Sequence, residues 1–471
     1  MRNPKTYMSR LKRAAFFRRR FNVHVPLKLT LSSLIIGGVT GMVCAFFEMI
    51  PNMLNQYRTS SLSALLDNES GMVTAALAAF TVSFIMAGIA MYFTRKYAPE
   101  AGGSGIPEIE GAMVDLRPVR YKRVLPVKFF GGILSLSSGM VLGREGPSIQ
   151  IGGNLGAAVC SLLKIKKEDF YVMLAAGAAS GLASAFNAPL AGMLFVLEEM
   201  RPQFKYRFSA VQAVAMAVIV STAARSFIVG NSDPVFDLPM FDGVNIRNFF
   251  DFLMFGILVG CAGVVFNRAV GWMQDFYTAV FRGRLWRSVM IVAVVGGLYG
   301  VASIIEPQVT GSGMHFISEW IMTSSSLKLL AGVLFLRFMG VMLCFCCGIP
   351  GGIFAPSLSL GALLGAVFGM SMLHFGILNY DPGILAIVGM SAFFAASVRA
   401  PITGIILICE MTNNFQFLLP MMIAVVAATQ TAALLKGRPL YTQILERTLR
   451  LSGNEEKIEE YREFKKTHNV E

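Results

Sequence analysis

The amino-acid sequence predicts an all-α membrane protein that crosses the bilayer many times. It also predicts an inverted-topology repeat of two halves, with broken and tilted helices. Three observations support this fold class: an apolar composition, the placement of charges in the loops, and a set of motifs that occurs twice. Together they indicate where each half begins, which side of the membrane it faces and where helices are interrupted.

The composition is typical of an integral membrane protein. Of 471 residues, 55% are hydrophobic and 15% are charged, whereas soluble domains are about 45–50% apolar and about 25% charged. From about residue 27 to residue 435, apolar runs alternate with short charged loops and no polar linker intervenes. The first apolar run, roughly residues 29–50, exceeds the ~7–15 residues of a signal peptide core and predicts a membrane span. Soluble, fibrous and disordered classes are therefore excluded.

The net charge of +13 is distributed in short clusters rather than over one face. A nucleic-acid partner would need a continuous basic surface, so we expect none. Loop 231–251 instead carries four aspartates against one arginine. Because basic loops stay on the cytoplasmic side, we expect this acidic loop to be external and both termini to be cytoplasmic. The basic clusters lie at residues 1–20, 117–128, 164–167, 201–207, 282–287 and 436–438.

Three motifs recur in the same order at offsets of 208, 209 and 212 residues, which indicates a duplicated half. In chain order they are PEAGGSG (99–105) and PQVTGSG (307–313), PSIQIGGNLGA (147–157) and PSLSLGALLGA (356–366), and APLAGMLFVLE (188–198) and APITGIILICE (400–410). The first half starts inside and ends outside, and the second does the reverse. This inverted repeat is typical of secondary transporters, which hold their substrate near the midplane where the halves meet.

The predicted divisions follow from this topology and are, in order, a basic cytoplasmic arm (1–27), a first membrane repeat (28–230), an external linker (231–248), a second membrane repeat (249–441) and a cytoplasmic tail (442–471).

Glycine and proline interrupt the apolar pattern at residues 102–107, 143–147 and 351–356. Such turns must be buried in protein or line a cavity when they lie at membrane depth. Each precedes a helix, and helix N-termini expose free N–H groups with about half a positive charge. Several aimed at one point would bind an anion without a fixed cation. Kinks that serve close helix packing are the alternative, but three equivalent interruptions favour the anion site.

Glu145 is the most informative titratable residue. A carboxylate at a helix start is often only a partner of the helix dipole, but here it lies in an apolar segment, where ionisable groups are usually functional. When the two halves are aligned, Glu145 corresponds to Phe354, and Arg144 corresponds to Ile353. The second half thus keeps the turn and lacks the charges. An ionised Glu145 would compete with an anion, and a protonated one would withdraw.

Glu199 is the candidate for a second, inner proton acceptor. Glu198 and Glu199 end an apolar helix, so at least one is expected to be a solvated or paired helix-end charge. Glu198 has a repeat partner in Glu410, which suggests a shared structural role, whereas Glu199 aligns with Met411. The hydroxyls of Ser104 and Tyr441 cannot be assigned to a functional site from the residues alone. Ser104 could be an N-cap, and Tyr441 could be an aromatic residue of the membrane interface.

Enzymatic function is not expected. An intramembrane hydrolase would need a nucleophile with a nearby base, or a metal cluster, and the four histidines are scattered. The seven cysteines lie in apolar stretches and form no metal-ligand pattern, so we expect no metal and no other cofactor. A receptor or scaffold remains as a further class, and it would show no ion flux.

At this point the motifs resemble those of the CLC family of chloride channels and chloride/proton exchangers. The matching stretches are GSGIP (103–107), GREGP (143–147) and GGIFAP (351–356), in order and without departure. The similarity extends over about residues 27–441 and is closest to the enterobacterial-type exchangers. The resemblance implies the CLC fold and a homodimer in which each subunit encloses its own anion pathway.

The resemblance also implies roles for individual residues. Ser104 and Tyr441 would contribute hydroxyls to a central chloride, together with the backbone amides of Ile353 and Phe354. Glu145 would be the external gating glutamate, and Glu199 the inner proton-transfer glutamate that exchangers carry. Arg144 and Gly146 would flank the outer anion position, and a serine at position 104 is typical of chloride-preferring members.

These implications lead to an electrogenic H⁺/Cl⁻ antiporter of the bacterial inner membrane, in which helix N-termini hold chloride and a protonatable glutamate gates it. The alternative within the family is a passive voltage- or pH-gated chloride channel, against which the Glu145–Glu199 pair argues. Similar bacterial members act as an electrical shunt during acid stress, which implies a role in acid resistance. The tail resembles a short amphipathic surface helix, without the regulatory domain pair of many eukaryotic relatives.

Overall fold

A computed structural model describes residues 26–66, 71–200, 208–230, 235–236, 238, 241, 248–322 and 325–467. Within these ranges the regular secondary structure is helical, apart from two isolated β-bridges. The α-helices are α1 (Leu27–Leu66), α2 (Gly71–Tyr97), α3 (Ile106–Met113), α4 (Tyr121–Ser137), α5 (Glu145–Leu162), α6 (Lys167–Phe186), α7 (Pro189–Glu199), α8 (Phe208–Val229), α9 (Phe249–Phe281), α10 (Leu285–Ile305), α11 (Ile317–Ile321), α12 (Leu327–Cys344), α13 (Phe354–His374), α14 (Gly383–Val398), α15 (Pro401–Thr412), α16 (Leu418–Leu434), α17 (Leu440–Leu451) and α18 (Glu455–Thr467).

Eight of the described helices are long and apolar enough to cross a membrane, which confirms the all-α, multi-pass prediction. They are α1, α2, α6, α8, α9, α10, α12 and α13. Helix α1 has 40 residues and extends well beyond the predicted span at residues 29–50. Helix α9 has 33 residues. At 1.5 Å per residue, both exceed a hydrocarbon core of about 30 Å. They therefore lie tilted or continue beyond the core.

The two halves are packed in equivalent ways. Helix α1 packs on α8 and α5 on α6 in the first half, while α9 packs on α16 and α13 on α14 in the second. The α5–α6 crossing is so close that a Cβ on Gly152 would collide with the carbonyl oxygen of Gly177. Gly361 and Gly389 meet in the same way where α13 crosses α14. Small residues at such crossings allow helix backbones to approach in lipid.

Two of the predicted divisions fall mostly outside the described residues, namely the arm 1–27 and the linker 231–248, as does the basic cluster 201–207. The predicted start of the tail at residue 442 lies inside α17, so that helix continues through the boundary. Helix α18 is not a free surface helix. Its Ile458 and Tyr461 pack with Leu116 and Leu445, and Tyr461 donates a hydrogen bond to Glu110.

Candidate anion-binding site

The turn before α3 and its repeat in the second half have the same backbone conformation. Gly103 and Gly105 have φ angles of 63° and 87°, and Gly311 and Gly313 have 60° and 84°. Residues with a Cβ rarely adopt this left-handed region. The repeated glycines are therefore required by the turn that exposes the start of the following helix.

Backbone hydrogen bonds join the interrupted segments of the two halves. Gly143 and Gly352 exchange N–H···O bonds of 2.7 and 2.6 Å, and the N–H of Gly103 donates to the carbonyl of Ile349 at 3.0 Å. These hydrogen bonds satisfy backbone N–H and C=O groups for which lipid offers no hydrogen-bond partner. They also bring the N-termini of α3, α5 and α13 together. The contact is close, because a Cβ on Gly146 would collide with the Ser104 side chain.

Ser104 and Tyr441 place two buried hydroxyls at this convergence. Ser104 is 3% exposed and Tyr441 is fully buried, so the interpretation of Tyr441 as an interfacial belt residue is wrong. Their hydroxyls interact with each other. Neither has a hydrogen-bond partner at normal geometry among the described residues. Buried donors without partners are costly in proteins, and a small anion would satisfy both.

Ile353 and Phe354 form the start of α13, with Ile353 as the N-cap and Phe354 as the first helical residue. Both are fully buried. The Phe354 ring lies 4.3 Å from that of Phe394 and 5.1 Å from that of Phe186. This aromatic packing holds the free N–H end of α13 in place within an apolar surrounding, where a helix dipole acts with little screening.

Glu145 is the first residue of α5, yet its carboxylate is bound to the other half. The residue is 2% exposed, and Ala355 N–H donates to Glu145 Oε2 at 3.3 Å. The carboxylate thus lies at the N-terminus of α13, a position that favours negative charge. A carboxylate and a mobile anion cannot share it, so the geometry makes them alternative occupants.

A cavity of about 420 Å³ opens onto Glu145. At its wall Arg144 binds Glu48 at 2.9 Å and donates to the Ala185 carbonyl at 3.1 Å. Arg225 binds the same Glu48 carboxylate at 2.9 and 3.1 Å. The sequence reasoning singled out Arg144 but missed Glu48 and Arg225. Their signal was that both are charged residues within apolar runs, which marks functional or paired groups.

His315 also lines this cavity, between α10 and α11. Burial, followed by the positive charge of Arg144, lowers the pKa of His315 below its ordinary value of 6.5. The imidazole is therefore mostly neutral at pH 7. The cations at the mouth of the site are then the two arginines that share Glu48.

Glu199 is the last residue of α7 and is half-buried. It acts electrostatically on Tyr441, as Glu145 does, and also on Tyr461 of α18. Tyr441 thus lies within the electrostatic reach of both glutamates. Glu145 lines the cavity, whereas Glu199 acts on the tyrosines of α17 and α18.

Two buried cations that the sequence reasoning did not single out support the turns. Lys128 is fully buried, so it does not belong to a solvent-exposed basic cluster as predicted, and it donates to the carbonyls of Ala101 and Gly103 at 3.0 and 2.6 Å. Arg337, which is offset by 209 residues from it, donates to Thr310 and Gly311 carbonyls at 3.0 and 3.1 Å. The repeat offset was the signal that could have identified this pair.

Comparisons with known proteins identify the family of the chain. Residues 86–433 match the family described as voltage gated chloride channel. The chain is 43% identical over 443 residues to the H⁺/Cl⁻ exchange transporter ClcA of Salmonella arizonae, covering 93% of each chain. It is 44% identical over 431 residues to ClcA of Vibrio cholerae, covering 90% of each chain.

Solved structures show the same fold. The crystal structure of a slow cyanobacterial Cl⁻/H⁺ antiporter superposes with a TM-score of 0.85 at 33% identity, covering 90% of this chain and 98% of the other. A eukaryotic CLC transporter superposes with a TM-score of 0.72 at 22% identity, covering 89% of this chain and 74% of the other. From its motifs, its fold and these relatives, the chain belongs to the voltage-gated chloride channel family, that is, the CLC family of channels and transporters.

Proposed function

We propose that the protein is an electrogenic H⁺/Cl⁻ antiporter. One observation carries the proposal: the Glu145 carboxylate accepts the Ala355 N–H at the start of α13. The buried hydroxyls of Ser104 and Tyr441 have no hydrogen-bond partner at normal geometry among the described residues. A group that can be protonated therefore lies where an anion would be stabilised. Proton binding and anion binding at this point are linked, because a protonated Glu145 releases the helix terminus to chloride.

Chloride would be held by dipoles and not by a buried cation. The donors we assign are the Ser104 and Tyr441 hydroxyls and the amides of Ile353 and Phe354. Helix N-termini and hydroxyls bind an anion weakly enough for it to leave, as conduction requires. Arg144 and Gly146 would flank the outer position, and Arg144 at the cavity wall would raise the local anion concentration.

The proton would travel by a second route to the inner side. We assign the inner acceptor to Glu199, which is half-buried at the end of α7 and acts electrostatically on Tyr441. Protonation of Glu145 from outside and transfer toward Glu199 would move one proton against the chloride that leaves. The relatives named H⁺/Cl⁻ exchange transporter support proton-coupled exchange.

The passive channel is the alternative. A channel needs a gate but no inner proton acceptor, so the half-buried Glu199 favours exchange. The experiment is a flux assay on purified protein in liposomes. An inward chloride gradient should drive protons uphill, measured with a pH electrode or a pH-sensitive dye. Chloride flux without uphill proton movement would identify a channel, and the absence of any flux would identify a receptor or scaffold.

We further propose the cellular setting. The chain would act as a homodimer in the bacterial inner membrane, with both termini cytoplasmic and loop 231–248 external. Each subunit would hold its own pathway, formed by repeats 28–230 and 249–441 and followed by the cytoplasmic tail. Exchange of chloride for protons would relieve charge build-up during acid stress. Cross-linking in membranes and protease accessibility of the termini test these assignments independently of flux.

A further inference from the structure

A second polar pocket, separate from the cavity that opens onto Glu145, lies between α9 and α17. It has a volume of about 360 Å³. Its lining consists of four arginines, two acids, one tryptophan, one glutamine and one glycine: Arg268, Arg438, Arg447, Arg450, Asp275, Glu446, Trp272, Gln443 and Gly271. We refer to it as the α9–α17 pocket. Its wall carries more positive than negative charge, which favours an anionic ligand.

The two acids of the pocket are already neutralised by neighbours. Arg447 binds Asp275 at 2.7 Å. Arg462 of α18 binds Glu446 at 2.8 Å, and Arg438 approaches the same carboxylate at 3.4 Å. Glu446 is nearly buried, with 9% of its side chain exposed. The acids therefore hold the pocket together and do not cancel the remaining arginines.

Arg268 and Arg450 are the two arginines of the pocket that the ion pairs with Asp275 and Glu446 do not include. Both are exposed, and neither forms an ion pair with any residue in the described ranges. Arg268 makes one long contact of 3.4 Å to the Leu435 carbonyl. A guanidinium group presents a planar pair of donors that matches the oxygens of a phosphate. Two such groups at one pocket make a phosphate site.

The depth of the pocket points to a lipid. Arg268 follows the start of α9 by 19 positions, about 28 Å along the helix, which is close to the full thickness of the hydrocarbon core. The pocket therefore lies at headgroup level, on the side we propose to be cytoplasmic. Trp272 at its edge is 76% exposed, a position that tryptophan favours at the membrane interface.

The surface leading to the pocket is apolar. Along one face of α9, Met254 is 46% exposed, Leu258 42% and Val265 60%, and Arg268 and Trp272 continue the same stripe at helical spacing. A ligand with acyl chains would lie along this stripe while its headgroup reaches the arginines. A free phosphate would gain nothing from it.

We propose that the α9–α17 pocket binds the phosphate-bearing headgroup of an anionic phospholipid from the adjacent leaflet. The lipid would connect α9 of the membrane domain to α17, the helix that carries Tyr441 near its start. The proposal does not depend on which ions the protein transports. It rests on the charge of the pocket, its depth and the apolar stripe.

The test uses the purified full-length protein in dodecylmaltoside, titrated with dioleoyl-phosphatidylglycerol or dioleoyl-phosphatidylcholine, with bound lipid counted by native mass spectrometry. Each arginine near a membrane surface contributes a factor of about five to anionic lipid binding. We therefore expect the Arg268→Gln/Arg450→Gln variant to bind phosphatidylglycerol about 25-fold more weakly. The matched control is Arg287→Gln, an exposed arginine at the start of α10 outside the pocket, and it should bind like the unmodified protein.

Two further arms identify the ligand class. The charge-retaining variant Arg268→Lys/Arg450→Lys should bind more weakly than the unmodified protein and more tightly than the glutamine variant, because lysine keeps the charge and lacks the planar pair of donors. Binding at this intermediate level separates loss of charge from loss of folding. Inorganic phosphate should not displace the lipid at matched concentration. Equal binding of phosphatidylcholine, unchanged binding by the glutamine variant, or displacement by inorganic phosphate alone would each overturn the assignment to an anionic lipid.

Discussion

Glu198 and Glu410 cap each other's helices. Glu198, near the end of α7, accepts the N–H groups of Ile402 and Thr403 at the start of α15, at 3.1 and 2.8 Å. Glu410, near the end of α15, accepts the N–H groups of Leu190 and Ala191 at the start of α7, at 3.0 and 2.7 Å. The two helices have 11 and 12 residues, about 17 Å, which is too short to cross the bilayer core. Their N-termini end within it and need acceptors.

The reciprocal caps predict similar costs of removal, with that of Glu198 slightly larger because it also accepts the Thr403 hydroxyl at 2.8 Å. Glu410→Gln and Glu198→Gln should each lower the free energy of unfolding by about 2 kcal/mol, because a charged acceptor of two N–H groups becomes a neutral one. Equilibrium unfolding in mixed micelles of dodecylmaltoside and sodium dodecyl sulfate measures this change. Glu460→Gln, on the exposed face of α18, is the control and should have no effect. A large effect at only one of the two caps would contradict their equivalence.

Glu145→Gln should abolish proton coupling while chloride continues to pass. Glutamine is as neutral as protonated glutamate and cannot carry a proton, so chloride would have lasting access to the start of α13. Chloride efflux and proton uptake, recorded together from liposomes, give the ratio of the two fluxes. If Glu145→Gln transports both ions in the ratio of the unmodified protein, Glu145 has no part in coupling.

Glu199→Gln should stop proton movement and preserve chloride passage, because the outer gate and the anion site remain intact. The informative comparison is with Glu198→Gln at the neighbouring position. That variant loses a structural cap and should keep its coupling ratio. Normal coupling in Glu199→Gln, together with impaired coupling in Glu198→Gln, would show that the inner proton acceptor is Glu198 and not Glu199.

The two orphan hydroxyls should contribute directly to anion affinity. Ser104→Ala and Tyr441→Phe each remove one donor to a charged acceptor, a contact worth about 1.5–3 kcal/mol. Chloride binding measured by isothermal titration calorimetry should weaken at least about tenfold for each variant. Ser397→Ala is the matched control, since the Ser397 hydroxyl of α14 is also buried and has no hydrogen-bond partner within the described part of the chain. Unchanged affinity in Ser104→Ala and Tyr441→Phe would place the anion elsewhere.

Glu48 and Arg225 should be energetically coupled. Removing Glu48 alone leaves Arg225 and Arg144 facing each other without a counter-ion, which is costly for partly buried charges. In a double-mutant cycle of Glu48→Gln and Arg225→Gln, we expect an interaction energy of about 2 kcal/mol in the free energy of unfolding. The mixed-micelle assay described for the caps measures it. Strictly additive effects would show that the shared carboxylate does not hold the two arginines.

Much of the fold could be predicted because its signals are local. Apolar runs mark spans, and loop charges indicate their direction. The repeated glycines at 103, 105, 311 and 313 are needed for left-handed turns, so the positions of the helix breaks could be read from residue types. The loss of repeat symmetry at Glu145 likewise singled out the residue whose carboxylate binds Ala355.

Other features depend on contacts between distant segments. From the residues alone, Tyr441 could be an interfacial residue, and only the resemblance to the family assigned it to the anion site. Nothing in the neighbouring sequence indicates that α17 brings Tyr441 close to Ser104. Lys128 looked like a cytoplasmic charge, because the carbonyls that bind it belong to a turn more than twenty positions away.

The sequence by itself determined that the chain is a membrane protein, that it consists of two duplicated halves and where its helices are interrupted. These features follow from residue type and spacing. Only the tertiary structure decided which helix ends meet. It also decided that Glu48 serves two arginines and that each of the two short helices is capped by the other. Several of these contacts join residues more than 200 positions apart. The packing that brings them together leaves no periodic pattern in the sequence.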